Sequence, residues 1–418
     1  MGEKWRLPDA PGHYMPLRTD RPLSKAYFPD NLPPTIELSE DVVAELSRAM
    51  HALGRLDGLV SEVDDPGAVF SSFVYKEAEQ SSQVEGTAVT VSDIYRLEVD
   101  ERTVDQAETD HEKDIREAKN YIRALRDEME YLDTAGRSRD SITVELVKRL
   151  HETLMERTST DEDDPLPGKF RPGLAYIEEL TETGASRARF VPPPAHVVEG
   201  NMQALMEYVQ TGGRWPDLID AALIHYQFET IHPFKDGNGR IGRLLIVLLL
   251  LCSDLLVNPV LYPSSYFNRR RNEYTDLLLA VSERGEWEEW LLFFLEGMTQ
   301  QATEAFVRAK IMVKKRHEYE GAYESDPQSV RTLARVSFSE PYFTVSEAAA
   351  LIGMTYQTAN NAVERLVEDG VLVEITGNDQ NRVFKAGEVM EIVERPPIEL
   401  PDPADVIDGG SMFELRSP

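Results

Sequence analysis

The residues with the clearest chemical potential lie in the segment 232–243, which reads HPFKDGNGRIGR. His232 titrates near neutral pH and could take a proton from an attacking hydroxyl. Asp236 offers a carboxylate oxygen of the kind that Mg²⁺ prefers. Arg240 and Arg243 are three residues apart, so on a helix they would share a face and could bind phosphate oxygens together. These residue types in this order predict a site for a polyphosphate.

A turn of small and polar residues, Gly237, Asn238 and Gly239, separates the carboxylate from the first arginine. Glycines let backbone N–H groups approach an anion without obstruction by a side chain. The apolar run RLLIVLLLLC that follows predicts a buried helix, which would begin at this turn. Free amides and the helix dipole favour phosphate at such an N-terminus. Ile241 and Gly242 would complete the first turn of that helix.

The same twelve residues resemble the signature of the Fic family, His-Pro-Phe-x-Asp/Glu-Gly-Asn-Gly-Arg-x-x-Arg, at every fixed position. The surrounding segment HYQFETIHPF, residues 225–234, is similar to that family too. The resemblance implies an enzyme that transfers AMP from ATP to a Ser, Thr or Tyr hydroxyl of a target protein, and to itself. It implies His232 as the catalytic base and Asp236 as the Mg²⁺ ligand. Residues 237–243 would bind the nucleotide, and Tyr274 matches a family tyrosine of the adenine pocket.

An upstream segment, FSSFVYKEAEQSSQVEG, predicts a helix over about residues 70–86 that ends at Gly86. Within it, Ser81, Glu85 and Gly86 resemble the inhibitory motif of many Fic proteins, Ser/Thr-x-x-x-Glu-Gly/Asn. In that family the glutamate pairs with the second signature arginine, here Arg243. Such a pair occupies the cation that should hold the γ-phosphate and adds negative charge beside the nucleotide. The resemblance therefore implies autoinhibition.

Between residues 167 and 194 the helical periodicity breaks. The segments GKFRPGLAYIEEL and SRARFVPPP predict two short strands joined by the turn TETGAS. This hairpin resembles the Fic flap, whose exposed edge can hold an extended target segment by backbone hydrogen bonds. Ala188, Arg189 and Phe190 would lie near that edge. The alternative is an ordinary connecting hairpin.

Composition limits the class of protein. The chain has 418 residues, of which 41% are hydrophobic, so we expect two to three domains with true cores. Its longest apolar run, residues 244–252, is too short to span a bilayer. The single cysteine, Cys252, lies in that run and predicts a buried apolar position. With no segment typical of a signal peptide, we expect a cytoplasmic protein without a membrane partner.

The charge is strongly acidic, with a formal net charge of −30 and a pI near 4.7. Arginine outnumbers lysine, a balance consistent with a halophilic host in which salt screens self-repulsion.

Residues 344–385 follow the pattern of a helix-turn-helix with two wing strands, which predicts a winged helix. Because that segment is itself acidic, DNA binding is the less favoured interpretation, and homodimerisation or target docking is preferred.

The expected fold is mainly α, a helical Fic bundle with a short β-hairpin flap and a C-terminal winged helix-turn-helix domain. Ser39 is expected to cap the first long helix, after an extended arm over residues 1–35. His151 and His225 are expected to be structural.

Three alternative functions stay open: another phosphate-group transferase, an enzyme that removes AMP with Glu85 positioning water, and a winged-helix transcription regulator. The expected division is an N-terminal region (1–104), a catalytic domain (105–300), a helical linker (301–330), a winged-helix domain (331–395) and a loose acidic tail (396–418).

Overall fold

A computed structural model describes residues 10–17, 25–100, 109–158, 166–180, 186–377 and 382–407 of the chain. The fold is mainly helical, as predicted, and its described strands form small antiparallel sheets. The helices are α1 (Glu40–Ser61), α2 (Pro66–Val84), α3 (Val91–Asp100), α4 (Asp110–Ala135), α5 (Val144–Leu154), α6 (Ala195–Thr211), α7 (Asp217–Ile231), α8 (Asn238–Cys252), α9 (Ser264–Arg269), α10 (Arg271–Arg284), α11 (Trp287–Ala322), α12 (Gln328–Val336), α13 (Val345–Leu351), α14 (Tyr356–Glu368), α15 (Gly387–Glu394) and α16 (Pro403–Ile407). The strands are β1 (Gly12–Pro16), β2 (Lys25–Pro29), β3 (Ile177–Leu180), β4 (Ser186–Phe190), β5 (Tyr342–Thr344), β6 (Leu372–Glu374) and β7 (Val383–Ala386).

The N-terminal segment differs from the extended arm that we expected. Strands β1 and β2 pair antiparallel, so the described part of the arm is a hairpin. Tyr27 is fully buried, and its N–H donates to the carbonyl of Val191 at 2.9 Å. The hairpin therefore gains tertiary contacts that the Pro-rich sequence does not signal. Ser39 caps α1 as predicted, because its side chain accepts a hydrogen bond of 3.2 Å from the N–H of Val42.

The longest helix, α11, connects several parts of the molecule. It begins at Trp287 and continues without a break to Ala322, so the start of the expected linker lies within it. Trp290 is buried and donates to the carbonyl of Ala222 at 3.1 Å, which fixes α11 to α7. Helix α1 packs along α11. The two long helices thus form one side of the scaffold around the helical bundle that contains segment 232–243.

Helices α7 and α8 form the centre of that bundle. They pack against each other on either side of the segment 232–237. The apolar run of α8 is buried on all faces, which explains its lack of helical periodicity. Helix α2, which is far upstream in the chain, packs on α4, α8 and α9. Its C-terminal end therefore reaches the N-terminus of α8.

The predicted hairpin near the site is present but shorter than expected. Strands β3 and β4 pair antiparallel with an irregularity at Ile177 and Glu178. The residues before Ile177 do not form a strand, because Arg171 uses its side chain and N–H to bind other loops and Pro172 supplies no N–H. The tip, residues 181–185, lies outside the described residues.

The C-terminal part contains α12, β5, α13, α14, β6 and β7, with the strand order β5-β7-β6. Thr344 forms a capping box with Glu347 at the start of α13. Arg308 of α11 is buried and donates to the carbonyls of Ile392 and Arg395, which attaches this part to the body. Helices α13 and α14 and strands β6 and β7 lie at the positions that the helix-turn-helix pattern predicts. The assignment of this part as a winged helix stays a prediction. Across the described residues, every helix is too short or too polar to cross a bilayer.

Candidate active site

His232 lies where α7 ends. It caps the helix in the left-handed conformation, with φ 48° and ψ 63°, and its N–H donates to the carbonyl of Phe228. For a residue with a β-carbon, this backbone conformation costs roughly 1–2 kcal/mol of free energy. Arg171 offsets that cost, because its Nε donates to the carbonyl of His232 at 2.7 Å. The backbone therefore turns sharply at His232 and directs the chain into the loop before α8.

The imidazole of His232 is suited to accept a proton. Its Nδ1 is buried and has no hydrogen-bond partner among the described residues. Burial and, to a lesser degree, the positive charge of Arg171 lower the pKa of His232 to about 4. The ring is therefore neutral at pH 7, with a nitrogen available to a ligand.

The loop before α8 is closed by Asn238. Its Oδ1 accepts from the N–H of Phe234 at 2.8 Å, and its Nδ2 donates to the carbonyl of Phe234 at 3.0 Å. Gly237 precedes it with φ 75°, and a β-carbon there would lie 2.6 Å from Met155. In α8 the amide of Ile241 donates to the carbonyl of Gly237. The amides of residues 238–240 thus have no acceptor within the helix and can face an anion.

Two glycines of the signature allow close approach to carboxylates. A β-carbon on Gly239 would lie 2.2 Å from Oε1 of Glu85 and 2.8 Å from Nη1 of Arg243. A β-carbon on Gly242 would lie 2.3 Å from Oε1 of Glu229. Gly239 therefore permits an oxygen anion to sit directly over the first turn of α8, the property that its position in the sequence predicts.

His151 holds the loop from the opposite side. Its Nδ1 accepts from the N–H of Gly168 at 3.0 Å, so its Nε2 carries the proton and donates to the carbonyl of Asp236 at 3.1 Å. Its ring stacks on Phe234 with centroids 3.8 Å apart. The structural role expected for His151 agrees with this packing, but the sequence does not indicate that the loop before α8 is what it supports.

Arg243 is almost completely buried, with 1% of its surface exposed. Its Nη2 donates to Oε1 of Glu85 at 2.6 Å and to the carbonyl of Ser81 at 2.9 Å. Its Nε donates to Oγ of Ser81 at 2.9 Å. Gly86 follows with φ 98°, two residues after the end of α2. The structure thus brings together the three residues of the upstream motif and the second signature arginine.

The carboxyl of Glu85 is held in its charged form. Burial opposes ionisation, but the charges of Arg243 and Arg240 outweigh it and lower the pKa of Glu85. Its side chain remains 39% exposed, so it lies at a surface rather than in a sealed core. The ionised Glu85 marks a position at which the protein already binds an anion.

A cavity of 720 Å³ opens beside this anion position. Glu85, His232, Gly239 and Arg243 line one end of it. Tyr274 of α10 also lines the cavity, and its hydroxyl forms a 2.8 Å hydrogen bond with Nε2 of buried His225. The volume is in the range of sites that enclose small molecules.

The hairpin of β3 and β4, which corresponds to the predicted flap, forms another wall of the cavity. Ile177, Arg189 and Phe190 line it, and Ala188 is exposed beside them. Arg189 pairs with Asp276 of α10 and donates to Oγ1 of Thr275 at 3.2 Å. The flap is therefore tied to α10 across the cavity.

Asp236 and Arg240 lie beside the first turn of α8. The side chain of Asp236 is 62% exposed, and Arg240 is 3.5 Å from its Oδ1. Arg240 also forms an ion pair with Glu117 of α4, a partner that the sequence did not signal. Among the described residues no cluster of three or more His, Cys, Asp or Glu could hold a metal. The exposed carboxylate of Asp236 nevertheless fits a Mg²⁺ ion that takes its other ligands from water and nucleotide phosphates.

Two segments of the chain match known protein families. Residues 43–130 match the family model described as "Fic/DOC family N-terminal", and residues 141–250 match "Fic/DOC family". A relative described as a probable protein adenylyltransferase, from Aquifex aeolicus, is 36% identical over 69 residues, 16% of this chain and 22% of its own length. "Protein adenylyltransferase Fic" of Drosophila yakuba is 26% identical over 224 residues, 50% of this chain and 37% of its own length. The matches thus span well under two thirds of either relative.

A solved structure shares the fold. The crystal structure of a Fic family protein from Desulfovibrio desulfuricans G20 has a TM-score of 0.51 and 19% identity. It covers 85% of this chain, and 98% of its own chain is matched. The two family matches show a Fic/DOC N-terminal region over residues 43–130, followed by a Fic/DOC domain over residues 141–250, in this chain.

Proposed function

We propose that this protein is an adenylyltransferase that transfers AMP from ATP to a Ser, Thr or Tyr hydroxyl of a protein, including itself. One observation carries the proposal: the neutral imidazole of His232 and a buried arginine, Arg243, line the same cavity at the N-terminus of α8. The named relatives support the same reaction class, since both are described as protein adenylyltransferases.

In this reaction His232 removes the proton of the attacking hydroxyl. The hydroxyl oxygen forms a bond to the α-phosphorus, and the bond from that phosphorus to the oxygen leading to the β-phosphate breaks. Pyrophosphate leaves with the electron pair of that bond. The free amides of residues 238–240 and the charge of Arg243 stabilise the negative charge that develops on the phosphates. Mg²⁺ held by Asp236 would neutralise phosphate charge further.

We infer that the Glu85–Arg243 pair inhibits the enzyme. The carboxylate lies 2.6 Å from the guanidinium, in the position over Gly239 that an anionic phosphate would need. Bound there, Glu85 removes the charge of Arg243 from the nucleotide and repels the γ-phosphate. ATP entering the cavity would take a pose that does not align its α-phosphate with the attacking hydroxyl.

The flap is the proposed docking site of the target. It borders the cavity that contains His232, and Ala188 is exposed on β4. An extended segment of the target could pair with the flap backbone, which would align a hydroxyl with little demand on sequence. For the C-terminal domain we propose homodimerisation or target docking rather than DNA binding, since carboxylates outnumber basic side chains over residues 331–395.

The experiment is mass spectrometry of the purified chain after incubation with MgATP. Glu85→Gly should carry the mass of an added AMP, and wild type should carry much less. Glu85→Gly combined with His232→Ala should carry none, while still binding ATP. Glu324→Gly is a matched control, because Glu324 also lies just beyond the C-terminus of a helix but outside this cavity. Equal incorporation in Glu85→Gly and wild type would contradict the inhibition.

Two other reactions of this site have distinct readouts. Transfer of phosphate alone would label the target from the γ-position of ATP. Removal of AMP, with Glu85 positioning water, would release AMP from a pre-modified target in the wild-type chain but not in Glu85→Gly. Adduct formation by Glu85→Gly without such release would favour AMP transfer.

A further inference from the structure

Arg271 lies outside the signature but lines the same cavity as Glu85, Gly239 and Arg243. It is the first residue of α10, and its Nε donates a hydrogen bond to the carbonyl of Val84. Val84 is the last residue of α2 and directly precedes Glu85. Two consecutive residues at the end of α2 therefore bind two arginines, one through a carbonyl and the other through a carboxylate.

The charge of Arg271 acts on the anion position at Glu85. Although burial favours the neutral form, the positive charges of Arg243, Arg240 and Arg271 together lower the pKa of Glu85. Arg271 is exposed, whereas Arg243 is enclosed by its partners. The guanidinium of Arg271 can therefore change its orientation without disturbing a core.

We propose that Arg271 binds the terminal phosphate of the nucleoside triphosphate, together with Arg243, once the end of α2 moves aside. This inference rests on the proposed function and adds a residue that distinguishes a triphosphate from a diphosphate. Its Nε would exchange a neutral carbonyl acceptor for a charged phosphate oxygen, and hydrogen bonds to ionised acceptors are the stronger of the two. A single displacement of residues 84 and 85 would release both arginines.

The test compares the binding of MgATP and MgADP. The background is Glu85→Gly with His232→Ala, in which turnover is absent and the carboxylate of Glu85 is removed. Isothermal titration should show that Arg271→Gln weakens MgATP binding about 10-fold, which corresponds to about 1.4 kcal/mol. The dissociation constant of MgADP should change less than about twofold, because ADP lacks the phosphate that Arg271 binds.

Arg270→Gln is the matched control. Arg270 is the neighbouring arginine, but it pairs with Glu273 at 2.6 Å and does not line the cavity. It should leave the dissociation constants of both nucleotides unchanged. Arg271→Lys, which keeps the charge but loses the planar donors, should give an intermediate loss for MgATP. Arg271→Met is a second uncharged variant in case the glutamine variant is unstable.

Equal weakening of MgATP and MgADP, or no weakening of MgATP, would overturn the proposal. It would also be overturned if Arg271→Gln only raised labelling in the wild-type background, because Arg271 would then serve solely to hold the end of α2. Failure of the proposed function would appear elsewhere, as an absence of AMP addition in Glu85→Gly with His232 intact. The binding measurements do not depend on that result.

Discussion

The Nε of Arg171 donates a hydrogen bond of 2.7 Å to the main-chain carbonyl of His232, the residue whose left-handed backbone ends α7. The same guanidinium donates to the carbonyls of Gly173, Pro193 and Ile231. Arg171 itself is 4% exposed. One buried cation thus joins the segments on either side of the β3–β4 hairpin to the end of α7 and fixes the direction of the loop before α8.

We expect Arg171→Ala to destabilise the fold and to abolish labelling in the Glu85→Gly background. Buried carbonyls would lose their donor, and the free energy of unfolding should fall by about 3 kcal/mol. Urea unfolding measures the first effect, and incorporation of labelled AMP the second. Arg284→Ala, at an exposed arginine paired with Glu286, should change stability by less than about 1 kcal/mol. Similar losses in the two variants would argue against a special role for Arg171.

Gly239→Ala should remove activity even when Glu85 is absent. The new β-carbon would lie 2.8 Å from Nη1 of Arg243 and would occupy the space over the first turn of α8 that an anion needs. We expect labelling by Glu85→Gly to fall by about 100-fold, the scale of losing one transition-state donor. Gly58→Ala is a matched control, because Gly58 also lies in a helix and a β-carbon there meets nothing within 4 Å. If Gly239→Ala labelled as fast as Gly58→Ala, close approach at this position would be unnecessary.

The pH dependence of labelling should reflect the lowered pKa of His232, about 4. The base is active when neutral, so its activity is present above that pKa and is lost as the pH falls through it. For Glu85→Gly we expect kcat/KM for MgATP to stay constant between pH 6 and 8 and to fall only below about pH 5. A decline with a midpoint near 6.5 would indicate an ordinary solvated histidine and would contradict this assignment.

High salt should stabilise the protein. With a net charge of −30, the folded chain repels itself, and ions screen that repulsion. The screening length falls from about 10 Å at 0.1 M salt to about 3 Å at 1 M. We expect the Tm to rise steadily with KCl over this range, as measured by calorimetry. A Tm that is unchanged or lower at 1 M KCl would remove the support for a halophilic host.

The sequence predicts the site where its residues are contiguous or form a compact motif. The signature 232–243 and the pair of Ser81 and Glu85 fall in this class, because each motif is complete within twelve residues. The residues that hold the loop before α8 could not be predicted in this way, because they are distant from it in the sequence. Arg171 is 61 residues from its partner His232, and His151 is 85 residues from Asp236. Such contacts depend on how helices pack, which spacing along the chain does not encode.

Local breaks in regular structure were also hard to predict. The N-terminal arm forms a hairpin because Tyr27 is buried against the body, a tertiary contact without a local signal. The first flap strand begins only at Ile177, because Arg171 engages other loops. Helix α2, by contrast, ends two residues before Gly86, close to the predicted position, because its stop signal is local.

The most direct test of the account is a comparison of ATP labelled at the α- or the γ-phosphate, incubated with Glu85→Gly and Mg²⁺. We predict that the α-label becomes covalently attached to protein and the γ-label does not, and that His232→Ala abolishes the attachment. Attachment of the γ-label, or α-labelling that persists in His232→Ala, would contradict AMP transfer by this site.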